Sequence, residues 1–305
     1  MQDRLRQVHR LTPRGSEGRV RLGTSGRVAG LLAGMTVLVS CAGTEEPLVR
    51  DDTTQAVQDT FCESPCGSMV LVPAGPFVMG CEPDPPCEMS GSCEVTLQSY
   101  WIDRTEVTQA AYQACVAAGV CGKPWVGCLW DPVGKPTHPA ECVLWGDADR
   151  YCKWVGKRLP TAAEWEKAAR GTDGRMYPWG NEPPTSDKVV ILSESPRFYG
   201  SGSMPVCSKS PEGDSPYGVC DMAGSVLEWV STCCQAIVSS TITYCYDPPR
   251  APGCGGSADD TMGQRGGHWG EEDDDCNFRM CEDRCAYKSE YFWETGFRCA
   301  RDVEP

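Results

Sequence analysis

The sequence predicts an α+β chain in which short helices and strands are joined by loops held by disulfides. Three observations lead there. Short helical segments carry their own start and stop signals: Thr161 with Glu164 fits a capping box, Ala162 to Arg170 is rich in good helix formers, and Gly171 sits where a left-handed residue ends a helix. Met69-Val70-Leu71-Val72 before Pro73-Ala74-Gly75 reads as a strand and turn. Finally, the 305 residues hold 21 cysteines, and no paired CxxC…CxxC or Cys/His finger spacing occurs among them. So many cysteines without a metal framework belong to an oxidising, extracytoplasmic compartment.

Taken in order, residues 1–40 read as a secretory leader. They hold seven Arg and no Lys against Asp3 and Glu17, a contribution of +5. Val28 to Val39 is apolar but too short to span a bilayer of about 30 Å, so it is a signal segment and not a membrane helix. The Leu38-Val39-Ser40-Cys41 ending resembles a bacterial lipobox, which implies cleavage before Cys41 and acylation of its thiol; the plainer alternative is an ordinary cleaved signal. Multiple acyl chains would anchor the chain to a membrane through Cys41. Residues 41–67 follow as a polar, acidic tether.

The main domain is expected at 68–302. Cys81, Cys87 and Cys93 lie in a proline-rich insert with a spacing that favours disulfides over a zinc knuckle. Thr108 caps a helix to Ala118, stopped by Gly119, and Ala148, Cys152 and Val155 recur at helical spacing before Gly156. Lys157-Arg158-Leu159-Pro160 makes the corner into the capped helix, and Tyr177-Pro178-Trp179-Gly180 an aromatic turn after it. His138, in Thr137-His138-Pro139, reads as a structural turn residue. Residues 182–214 are loop-like, and Cys233 to Cys254 is another cross-linked loop.

The literal string in the middle of the chain is more specific than its helix pattern. YCKWVGKRLPTAAEWEKAARG…YPWGN resembles the signature of the formylglycine-generating enzyme, or sulfatase-modifying factor, family. Ile102 to Thr108, Ser215 to Gly218, Asp221 to Trp229, Arg265 to Trp269 and Gly296 to Cys299 follow the family's order. The resemblance implies a C-type-lectin-like formylglycine-generating-enzyme fold and a disulfide between Cys152 and Cys299. A second family bridge would join Cys281 to the position held here by Ala169, so Cys281 must pair differently. Gly224 to Trp229 corresponds to a segment that helps bind calcium in relatives. Here Ser225 replaces an Asn and Glu228 remains, so Glu228 is a candidate calcium ligand, the alternative being bonds to nearby backbone amides.

The resemblance also implies an activity: two thiolates bind Cu(I), which activates O2 to oxidise a sulfatase cysteine to formylglycine. Soft thiolates suit that ion. Laid on this chain, the two positions are Glu271 and Cys276, and the motif's serine is His268. Glu271 is a hard oxygen donor, so the paired thiolate site is lost unless another cysteine, or His268 beside Cys276, replaces it. Disulfide pairing of Cys276 would remove its thiolate as well. The run Glu271 to Asp275 reads as a solvated face rather than a calcium loop, since it lacks alternating ligand spacing.

The expected function is therefore a membrane-anchored lipoprotein whose domain serves in binding or envelope structure, with an unidentified protein or glycan partner. A copper-dependent formylglycine-generating oxidase is the alternative. Iron-dependent sulfoxide formation, known in related proteins with a histidine-rich helical domain, is disfavoured by the three histidines here. The net charge is −14, and with +5 in the leader the rest stands at −14 − 5 = −19. Such a surface repels nucleic-acid phosphate and attracts cations, though plain solubility also accounts for it.

Overall fold

In the computed structural model, the residues described are 69–80, 92–125, 128, 130–191, 202–233, 261–270, 278 and 284–304, all within the unit Gln58–Pro305. Strand β1 (Met69–Val72) pairs antiparallel with β4 (Tyr100–Asp103), whose other edge takes β9 (Ala300–Asp302). The chain's last strand thus closes onto nearly its first. Between β1 and β4, strands β2 (Gly75–Gly80) and β3 (Ser92–Leu97) form an antiparallel pair in which Phe77 faces Val95. A second sheet has the order β7-β6-β5-β8, from β5 (Leu227–Cys233), β6 (Thr261–Arg265), β7 (Arg284–Tyr287) and β8 (Thr295–Gly296). The β5–β8 pair is parallel and its neighbours antiparallel.

Three helices stand where the local signals place them. Helix α1 (Gln109–Ala117) starts with the Thr108 side chain accepting from the Ala111 N–H, and Gly119 follows it at φ 72°. Helix α2 (Trp145–Trp154) ends at Val155 before Gly156 at φ 73°. Helix α3 (Ala162–Arg170) has its capping box complete: Thr161 accepts from Glu164 N and Glu164 accepts from Thr161 N. Arg158 clamps the same Glu164 carboxylate with two bonds of 2.7 Å, which fixes the corner before the helix.

All nine residues of α3 are buried, although four of them are charged. That burial is tolerable only because each charged group is satisfied. Lys167 donates to the carbonyls of Pro73 and Gly75 at 2.8 Å. Glu166 accepts from Gly80 N and Arg170 at 2.7 Å and from Arg265 at 3.0 Å. The polar side of α3 thus fastens the β1–β2 corner and β6. Its apolar side, through Trp165 and Ala168, enters a core with Phe77, Met79, Tyr100, Ile102 and Tyr177.

A second core gathers Tyr112, Tyr151, Trp229 and Phe297 around Cys152 and Cys299. The Cys152–Cys299 disulfide is present and joins α2 to the segment entering β9. Cys115–Cys121, Cys128–Cys142 and Cys207–Cys220 close short loops. Cys93 and Cys233 are also disulfide-bonded, which places Cys93 on the cross-link side of the choice posed by its insert; Cys81 and Cys87 lie outside the described residues. In the described part of 182–214 there is no helix or strand, as expected, and Cys207–Cys220 ties its end to the strand-forming segment beyond. No helix among the described residues is long and apolar enough to cross a membrane.

Candidate functional site

The segment Asp221 to Trp229 approaches the Arg265 to Trp269 loop through two left-handed turns. Gly224 (φ 67°) lies so close to Val189 and Val190 that a Cβ would sit 2.6 Å from the Val190 carbonyl oxygen. Its N–H donates to Gly266 O at 2.7 Å. Ser225 follows at φ 57°, a region that L-residues other than Asn and Asp seldom enter, and its carbonyl accepts from Trp269 N at 2.9 Å. These turns set Glu228 at the start of β5 and His268-Trp269 beyond β6 on a common framework.

Glu228 is fully buried, and its partners differ from both expectations. Arg298 donates to its two oxygens at 2.7 and 2.6 Å, and the Trp165 indole N–H donates at 2.9 Å. The carboxylate therefore answers a guanidinium and an indole, not nearby backbone amides. A calcium ion at Glu228 would have to displace Arg298, and this donor set does not fit one. Among the described residues, no group of three or more His, Cys, Asp or Glu is arranged to hold a metal.

Arg298 spends its remaining N–H groups on the carbonyls of Asp103, Arg104 and Cys220. Glu106 and Asp221 complete the cluster. Burial, then the charge of Asp221, pushes Glu106 well above the usual carboxylate range; burial also raises Asp221. Glu106 stands 4.0 Å from Arg298, and the network is a structural rivet joining four segments distant in sequence.

The more open polar cluster lies beside Trp269. Ser203 is buried, with its hydroxyl 3.3 Å from His138 Nδ1. His138, Glu141 and Trp269 are each partly exposed. Burial pushes Glu141 up to about 7, with Glu294 adding repulsion; Ser203, Lys135 and Trp269 pull the other way without cancelling it. Burial and Lys135 hold His138 below the usual imidazole range. The Trp269 Nε1 atom is buried without a hydrogen bond of good geometry, yet is near enough to Glu141 to stabilise its charge. Gly202 is obligatory here, because a Cβ would lie 1.7 Å from the Trp269 ring.

His268, at the position of the motif's serine, is partly buried; its Nδ1 accepts from Gly270 N at 3.0 Å, which leaves the proton of the neutral ring on Nε2. Glu271 and Cys276 lie outside the described residues, as do Cys41 and Cys281. Ala169, at the family position for a partner of Cys281, is fully buried in α3. Sequence reading found Glu228 and the 152–299 disulfide, treated His138 as a turn residue, and missed Glu141 and Ser203. Neither of those two stands in a motif, and they meet only when residues 202–203 fold over the Thr137-His138-Pro139 turn, where Val206 N donates to Thr137 O.

The family model described as sulfatase-modifying factor enzyme 1-like domain matches residues 54–303. The chain belongs to this family. It is 32% identical over 289 residues to the formylglycine-generating enzyme of Thermomonospora curvata, covering 77% of this chain and 93% of that protein. A shorter stretch of 110 residues is 41% identical to the inactive C-alpha-formylglycine-generating enzyme 2 of Bos taurus, covering 33% of this chain and 35% of that one. The structure of PvdO from Pseudomonas aeruginosa superposes with a TM-score of 0.61 at 27% identity, over 79% of this chain and 96% of that one. The fold is thus the α+β, disulfide-rich, C-type-lectin-like architecture of this family, as the motifs led one to expect. The family includes proteins named as active and as inactive, so membership alone does not assign the oxidase.

Proposed function

We propose that the chain is an extracytoplasmic lipoprotein, anchored through Cys41, whose sulfatase-modifying-factor domain serves in binding or envelope structure without copper oxidase chemistry. The observation that carries this reading is Glu271, an oxygen donor where the family motif places the first copper-binding thiolate. The cysteine chemistry supports it. Cys93, Cys115, Cys121, Cys128, Cys142, Cys152, Cys207, Cys220, Cys233 and Cys299 are all disulfide-bonded, the state of an oxidising compartment in which a lone Cys276 readily finds a partner. His268 offers one nitrogen donor and no second sulfur.

The second reading, a copper-dependent oxidase that converts a cysteine of a sulfatase-type protein to formylglycine, is favoured by the likeness to the Thermomonospora enzyme. One experiment separates them. The undenatured protein is alkylated and its free thiols are mapped, and in parallel it is titrated with Cu(I) and incubated with a Cys-x-Pro-x-Arg peptide. The binding reading expects Cys276 unalkylated and the peptide unchanged. Stoichiometric Cu(I) uptake with peptide conversion would overturn it. Retention in a detergent phase, lost on Cys41→Ser, tests the anchor.

A further inference from the structure

We propose that the Cys207–Cys220 disulfide is a redox-sensitive latch on the Arg298 network, opened by a dithiol reductant while Cys115–Cys121 and Cys152–Cys299 stay closed. The latch is independent of the copper positions and operates under either reading above.

Among the described residues, four other than glycine have a positive φ: Cys142, Cys207, Asp221 and Ser225. Two of them meet across this cross-link. Cys207 (φ 58°) donates its N–H to Asp221 Oδ2 at 2.5 Å, and Asp221 (φ 54°) directly follows Cys220. Asp enters the left-handed region more readily than most residues. A cysteine does so at a cost, and persists there only where its surroundings hold it. Cys207 is held by the disulfide on its side chain and by the Asp221 carboxylate on its main chain.

Access separates the pairs as well. In Cys115–Cys121 and Cys152–Cys299 both residues are buried, and none of the four cysteines is left-handed. Cys207 is partly exposed, whereas Cys220 is fully buried. Strain and exposure each make a disulfide easier to reduce, so this pair opens under a redox poise at which those two remain oxidised. Cys128–Cys142 also has one partly exposed residue and one left-handed residue, Cys142 at φ 58°. Cys207–Cys220 differs in what its buried end is attached to.

That end is wired to the charged network. Cys220 O accepts from Arg298 at 3.0 Å, and Cys220 N donates to Arg104 O at 2.8 Å. Arg104 O in turn accepts from Arg298 at 3.2 Å. Once the disulfide is open, Cys207 can leave the left-handed region, and its N–H turns away from Asp221. The buried Asp221 carboxylate then loses a charge-assisted bond one residue from Cys220. Loosening passes through Cys220 O to Arg298, and from there to Glu228 and the Trp165 indole that shares it.

The step is a thiol–disulfide exchange. A thiolate of the reductant attacks the Cys207 sulfur, which forms a mixed disulfide and releases Cys220 as a thiolate that takes up a proton. The reductant's second thiolate then attacks its own sulfur in that mixed disulfide and releases Cys207, which takes up a proton in turn. Two electrons and two protons pass to the protein, and the reductant leaves as its disulfide.

The test equilibrates the full folded chain with graded dithiothreitol in the absence of denaturant, followed by acid quenching, alkylation and peptide mass spectrometry. Cys207–Cys220 is expected to be half-reduced at a dithiothreitol concentration about tenfold or more below that for Cys115–Cys121 and Cys152–Cys299. The double variant Cys207→Ser with Cys220→Ser is then read by NMR hydrogen exchange, with near-UV circular dichroism confirming its fold. The amide at position 220 and the Trp165 indole N–H are expected to exchange about tenfold faster than in the parent, while the Tyr112 amide in α1 keeps its rate. Should the variant not fold, the same probes are read on the parent after selective reduction. The proposal is overturned if Cys207–Cys220 opens no earlier than the two buried pairs, or if the Trp165 indole of the opened protein exchanges as before. Equal acceleration at Tyr112 overturns it too, since that reports loss of the whole fold and not release of a latch.

Discussion

Replacing Arg298 by Met removes the positive centre of a fully buried charged network. The guanidinium makes two bonds to Glu228, at 2.7 and 2.6 Å, and donates to three main-chain carbonyls at 3.3, 3.2 and 3.0 Å. Methionine fills much of the volume but satisfies none of these groups. Glu228 is left with the Trp165 indole alone, and breaking a buried pair from one side costs about 3–5 kcal/mol. Each carbonyl deprived of its donor adds on the order of 1 kcal/mol. The expected loss is therefore at least about 4 kcal/mol, roughly a thousandfold in the folding equilibrium and a large share of a typical domain's about 5–15 kcal/mol. Urea unfolding followed by tryptophan fluorescence, with the disulfides intact, reads it directly. The double change Arg298→Met with Glu228→Gln removes the stranded charge, and should recover about 1–3 kcal/mol relative to the single variant. If Arg298→Met costs less than about 1 kcal/mol, or the double variant is no better than the single one, the reasoning about this network is wrong.

Two further outcomes follow from named groups. Glu141 titrates at about 7 in the fold against 4.5 ordinarily, so between those values the native state holds more protons than the unfolded chain, and stability falls as pH rises through that window. At most about 3 kcal/mol is lost, and Glu141→Gln should match the parent near pH 4 but exceed it at pH 8 in urea midpoint; equal pH profiles for the two proteins would refute the assignment. Cys152–Cys299 spans 147 residues, for which chain entropy gives about 5 kcal/mol as an upper value. Replacing both cysteines by Ala should therefore lower the urea midpoint far more than opening Cys115–Cys121, which spans only six residues; a reversed order would remove the entropic account.

What was legible in the sequence was local or carried by a literal motif. The capping box of Thr161 and Glu164 needs only an i, i+3 relation, so it appears in the structure as read. Thr108, Gly119, Gly156 and Gly171 mark helix ends for the same reason. The bond between Cys152 and Cys299 came from resemblance, since spacing alone cannot choose partners among so many cysteines. Glu228 shows the boundary. Its motif singled it out, but its partner Arg298 stands 70 residues away and closes on it only after β5 and β8 pair in parallel. Glu141 and Ser203 carried no local sign at all.

By itself, then, the sequence determined the family, the helix starts and stops, the oxidising environment expected from its cysteines, and the carboxylate at Glu271. Those follow from neighbours along the chain or from matched strings. The tertiary structure alone decided that Glu228 serves a buried guanidinium, that α3 is enclosed on every side with its charges satisfied, and that burial raises the Glu141 carboxyl. Electrostatic partners are set by through-space distance and desolvation, and both arise only when remote segments are brought together away from water.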